Sequence, residues 1–133
     1  MRRLMVIAAA LALSACGTAS TSNDVKLTGA QQDVADVVDK LAAAGARHNA
    51  KTICNDILSK QLVTELKSAG GDCETEIGDA IADATDYDLQ VRSVKINGNN
   101  ATAQVRQGKD GKVSTFTFVK EGGGWRATAL GGS

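Results

Sequence analysis

The sequence predicts an α+β fold in which N-terminal helices pack on one face of a four-stranded antiparallel meander. Three observations carry this expectation. Apolar residues recur at helical spacing through about residue 84, and then the period changes to two. The four alternating stretches that follow are separated by Gly-containing turns. Helices first and strands afterwards is the order of an α+β domain, not of a βαβ sheet. A chain of 133 residues has room for one such domain.

The elements follow in order. Thr28-Gly29-Ala30-Gln31 has capping-box spacing, and Val34, Val37, Val38, Leu41 and Ala44 form a stripe behind it. Asp33 and Asp36 favour the positive end of this helix, predicted over 29–46 and ending at Gly45. Asn49 can cap a second helix with Ile53, Cys54, Ile57 and Leu58 on one side. Leu62, Val63 and Leu66 continue it to Lys67, with a bend near Ser59. Gly70-Gly71 breaks the run. Asp72 can cap a third helix, with Ile77, Ala80, Ile81 and Ala84 on one face and an end near Thr85.

Tyr87, Leu89 and Val91 then alternate, and Val94 and Ile96 continue in the opposite parity, which predicts a bulge near Arg92-Ser93. Asn97-Gly98 signals a hairpin. Ala101, Ala103 and Val105 make a second strand, and QGKDG at 107–111 a turn. VSTFTFVK at 113–120 is the third strand, EGGG at 121–124 a turn, and 125–130 the fourth strand.

The N-terminal residues read as an address. Met1-Arg2-Arg3 is basic, and Leu4 to Leu13 is a ten-residue apolar stretch, far short of the roughly 20 residues that span a bilayer. Leu13-Ser14-Ala15-Cys16 resembles the lipobox of bacterial lipoproteins at all four positions. The resemblance implies a diacylglyceryl group on the Cys16 sulfur, cleavage after Ala15 and further acylation of the new amino group with a palmitate-type chain. It implies an exported protein held at the bacterial cell membrane, facing outside the cytoplasm. Two acyl chains anchor stably where one does so reversibly. The competing reading is an ordinary secretory signal with a chance Cys.

Cleavage removes 15 of 133 residues and leaves 118, with 13 basic against 15 acidic residues, a net of −2. The membrane partner is therefore expected through lipid, without help from a basic patch. Neutral overall charge and only four aromatics argue against nucleic acid as a partner. Residues 16–28 read as a flexible lipidated tether with a reach of roughly 20 Å. The alternative is that Val25 and Leu27 pack on the domain. The domain itself is assigned to 29–131.

Two cysteines remain, Cys54 and Cys73. Export implies a compartment that permits disulfides, and pairing closes a loop of about 20 residues, worth roughly 3 kcal/mol. The spacing supports neither a CxxC redox pair nor a zinc site. Free thiols are the alternative.

Helices followed by a curved meander resemble the nuclear transport factor 2-like superfamily, which includes ketosteroid isomerase and polyketide cyclases and has small exported bacterial lipoproteins as one branch. The segment ICNDILSKQLVTEL at 53–66, Cys73 and FTFVKEGGGW at 116–125 carry the likeness. Cystatin-like or other helix-on-sheet arrangements are the alternative. The superfamily fold implies a cone whose concave sheet face and first helix enclose a pocket. No catalytic motif of the relatives matches here, so none is transferred. Phe116, Phe118 and Trp125 are candidates to line the pocket, against the plainer reading that they are core.

Other candidates weigh less. His48, the one histidine, sits at a helix junction where a solvated polar residue is expected. Asp83, Asp86 and Asp88 could offer oxygens to a hard cation, but lack the EF-hand loop spacing. Asp33, Asp36 and Asp39 read as an exposed helix face. Gly122-Gly123-Gly124 precedes a strand, so a hairpin fits better than a phosphate loop. No GxSxG is present. The expectation is a non-catalytic domain binding a small apolar ligand or an envelope protein, without cofactor or metal. A pocket enzyme of the isomerase or cyclase kind and an accessory subunit docking another envelope protein are the alternatives. A buried carboxylate in a closed pocket would favour chemistry or ligand binding, and a broad exposed apolar sheet face would favour docking.

Overall fold

In the computed structural model, residues 26–84, 87–108 and 111–131 are described. The signal segment, Cys16 and the tether up to residue 25 lie outside them, as do Thr85 and Asp86. Helix α1 spans Ala30–Ala46. Helix α2 covers Ala50–Thr52 and runs directly into a π-helical turn, Ile53–Ile57. Helices α3 and α4 span Lys60–Ser68 and Cys73–Asp83. Strands β1 to β4 follow at Leu89–Asn97, Asn100–Gln107, Val113–Glu121 and Gly124–Leu130. They form one antiparallel sheet in sequence order. The α+β class and the four-stranded meander are thus present.

Several local expectations change. The capping box does not form: Gly29, at φ 55°, precedes α1 without a side-chain cap. The Gln31 side-chain amide instead donates to the Val94 carbonyl at 3.1 Å, tying α1 to β1.

The second helix is not one bent rod. Asn49 caps α2, its side chain accepting from the Thr52 amide at 3.1 Å. The π-helical turn then places Ile53, Cys54, Ile57 and Leu58 in the core, and Leu58 is extended. Ser59 restarts the chain as α3: its hydroxyl accepts from the Leu62 amide, and its own amide donates to the Ala127 carbonyl at 2.8 Å. The break attaches the helical layer to β4.

The predicted bulge in β1 is present, with the register shifting between Val91 and Ser93. The first hairpin turn is centred on Gly98-Asn99, one residue later than the Asn-Gly signal, since Asn97 and Asn100 pair. Gly98 has positive φ and Asn99 does not, the pattern of a type II′ turn. In the β3–β4 turn both Gly122 and Gly123 have positive φ, as a type I′ turn requires. A second register shift, between Thr117 and Phe118, was not foreseen; it leaves Thr128 beside Thr117, with their hydroxyls 2.7 Å apart.

The core lies between the helices and one sheet face. Val34 and Val38 from α1 meet Val91, Ala103, Val105, Phe116, Phe118 and Ala127 from the strands. Small alanines in β2 leave space for the two phenylalanines that pair with them, Ala103 with Phe116 and Ala101 with Phe118. Leu27, at the end of the expected tether, packs against this core.

Candidate functional site

An apolar cleft of about 200 Å³ opens between α1, α4 and the end of the sheet. Its walls follow from the helix faces read in the sequence. Ile77, Ala80, Ile81 and Ala84 recur every three or four residues, so all four face the cleft from α4. Leu41, Ala42 and Gly45 face it from α1. Leu89, Phe116 and Leu130 make the sheet wall. The alanines and the glycine matter because their short side chains leave the space between these elements unfilled.

Tyr87 closes one side. Its hydroxyl donates to the Ile81 carbonyl at 2.6 Å, and its ring meets His48 edge-on with centroids 5.8 Å apart. Gln107 is the amide-bearing residue in the lining. Among the described residues the lining contains no carboxylate, histidine, lysine or arginine. The Tyr87 hydroxyl in the lining is already engaged by a backbone carbonyl. The cleft can offer apolar contact and one amide to a ligand.

The three aromatic candidates occupy different places. Phe116 lines the cleft. Phe118 is buried deeper in the sheet face, beside Ala101 and Ala127. Trp125 is also buried, but borders a separate polar groove with Asp33, Asp36, Asp56 and Lys120. Sequence reasoning missed Ala42, Gly45 and Gln107. The available signal was the pairing of small residues on α1 with small residues on α4, which in a core helix pair would leave a void.

Cys54 and Cys73 form a disulfide, with Cα atoms 6.1 Å apart. The bond joins the π-helical turn to the first residue of α4 and so fixes the helix that forms one wall of the cleft. Cys54 also borders a wide polar groove of about 860 Å³ along β4, with Lys60, Glu121 and Arg126. Glu121 accepts from the Lys60 amide at 3.4 Å, and the Arg126 guanidinium donates to the Asn55 carbonyl at 2.7 Å. The charged groups of this groove thus bond to the backbone beside it.

The acidic candidates stay apart from the cleft. Asp33, Asp36 and Asp39 lie on the exposed side of α1. Asp36 accepts from the Gln32 side chain at 2.9 Å. Partial burial, with the Asp36 charge one turn away as a second cause, holds the Asp39 carboxyl above its usual range. Asp83 and Asp88 flank residues 85–86, and Asp88 accepts from the Gln90 side chain. No group of three potential metal ligands occurs among the described residues. His48 is exposed, with φ 55° at the α1–α2 junction. No helix among the described residues is long and apolar enough to cross a membrane. No protein-family model, curated protein or solved structure matches the chain.

Proposed function

We propose that this chain is a lipid-anchored bacterial envelope protein, held through Cys16, whose nuclear transport factor 2-like domain binds a small apolar ligand. The observation that carries the binding reading is the cleft: a concave, largely apolar space beside α1 with one amide-bearing residue, Gln107, in its lining. Ligand sites have this composition, apolar walls with a few polar groups that set orientation. Sites for drug-sized molecules run to about 300–1,000 Å³. A space of about 200 Å³ suits a smaller group, or a segment of a longer chain that protrudes through the open side.

The helices on one sheet face, the strand order and the bulge in β1 support the cone-shaped superfamily reading. The lipobox residues support the anchor. Binding without chemistry is favoured over the isomerase or cyclase alternative because the described lining supplies no free acid or base. The large exposed apolar side chain is Val113 alone among the described residues, so an apolar docking face is not what the sheet presents.

Native mass spectrometry of the full chain, made in a bacterium that processes lipoproteins, tests both halves. The reading expects a mass showing loss of 1–15 and gain of acyl groups at Cys16, with a copurifying apolar molecule. An unprocessed or unacylated chain contradicts the anchor. A ligand-free protein that also takes up no apolar probe contradicts the binding role.

A further inference from the structure

The near-neutral charge of the chain hides a separation between its two layers. Residues 30–84, the helical layer, hold ten acidic and five basic side chains. Residues 87–131, the sheet layer, hold three acidic and seven basic ones. The helices cover only one sheet face, so the other is open to solvent.

The register identifies what that open face presents. Its rows across the strands are Gln90–Arg106–Val113, Ser93–Gln104–Thr115, Lys95–Thr102–Thr117 and Asn97–Asn100–Val119. These rows contain two cations, neutral hydrogen-bonding side chains and two valines, and not one carboxylate. Arg92 is exposed at the bulge beside them. Glu121, at the far end, is directed to the α3 amide. The Arg106 Nε is shielded by its neighbours and has no hydrogen-bond partner. The face is therefore cationic and hydroxyl-rich, with the Asp88 carboxylate bonded to Gln90 at its edge.

We propose that this face docks on an anionic phospholipid bilayer. The inference rests on the anchor reading in one respect: attachment through Cys16 would keep the domain next to a bilayer. The acidic helical layer would be repelled by the same surface, so the charge separation orients the domain as well as attracting it. Each basic residue brought within a Debye length of an anionic surface raises partition by roughly fivefold, and the Debye length is about 10 Å at 0.1 M salt. The cleft opens on the helix side of the sheet, so a docked sheet face leaves it accessible.

Lysine acetylation followed by peptide mass mapping tests this on the full chain, mixed with or reconstituted in vesicles. Vesicles of phosphatidylcholine alone are compared with vesicles that also contain phosphatidylglycerol. The expected result is that the anionic vesicles slow acetylation of Lys95 several-fold while leaving Lys51 and Lys67, on the helical layer, unchanged. Salt near 1 M, with a Debye length of about 3 Å, should abolish the protection. An Arg92→Glu variant should weaken it. Uniform protection of all lysines, or none, overturns the proposal, as does protection by soluble polyphosphate but not by vesicles, which would make the occupant an anionic polymer. Intact mass of the same sample reports acylation of Cys16, so failure of the anchor and failure of the docking face are read separately.

Discussion

Tyr87 lies directly against Gly45: a Cβ at Gly45 would fall 3.0 Å from Cδ1 of the ring. The contact joins the end of α1 to the start of the sheet at the edge of the cleft. The ring cannot easily retreat, because its hydroxyl is bound to the Ile81 carbonyl at 2.6 Å. Gly45→Ala should therefore destabilise by ~1 kcal/mol in urea unfolding, although alanine is the better helix former. In a Tyr87→Leu background the same change should become neutral or stabilising. Equal costs in both backgrounds would show that the ring is not the obstacle.

The disulfide should matter more than any single core contact. Replacing both Cys54 and Cys73 by alanine should lower stability by about 3 kcal/mol, the chain-entropy value for a loop of this length. Reductant should lower the unfolding midpoint of the parent protein and leave that of the variant unchanged. A midpoint insensitive to both would contradict the structural role of the bond.

Ser59 is fully buried and connects two layers. Ser59→Ala removes the acceptor for the Leu62 amide and should cost about 1–2 kcal/mol. Ser59→Thr, which restores the hydroxyl, should recover part of the loss if the pocket accepts the extra methyl. These changes should leave the disulfide intact by mass.

Asp39 gives a pH signature whose sign is fixed by its raised folded-state pKa. Above that folded value the ionised carboxylate destabilises the native state. The penalty fades as pH falls through the folded pKa towards the unfolded value near 3.8. Asp39→Asn should therefore stabilise the protein near neutral pH, and the gain should vanish at or below about pH 3. Solvent screening keeps it within ~0.5 kcal/mol. Melting curves across this pH range check it, and a gain that grows in acid would reverse the sign.

The sequence made some of this legible and not the rest, for physical reasons. Period and turn chemistry are local, so the four strands, the parity change in β1 and the glycine turn before Trp125 could be read directly. The pairing of Cys54 with Cys73 followed from the expected compartment and the loop length. The capping box does not form, and the Gln31 side chain instead donates to Val94 on β1, a tertiary contact that no local pattern records. The π-helical turn at Ile53–Ile57 uses the same apolar spacing as an ordinary helix, and only the docking of Leu58 and Ser59 on β4 decides between them. The face of α4 formed by Ile77, Ala80, Ile81 and Ala84 was correctly grouped. That it borders a cleft depends on how far away α1 and the sheet lie, which periodicity does not contain. The charge separation was present in the residue order, but a net value averaged it away.

The binding cleft is the central claim, and titration of a fluorescent apolar probe tests it most directly. The parent protein should bind the probe saturably, in competition with the ligand recovered from the native protein. Ala42→Trp and Ala80→Trp, which fill the cleft from opposite helices, should each weaken binding at least tenfold, a change of about 1.4 kcal/mol, with little change in melting temperature. Undiminished probe binding by both filled variants would place the ligand elsewhere and contradict the account.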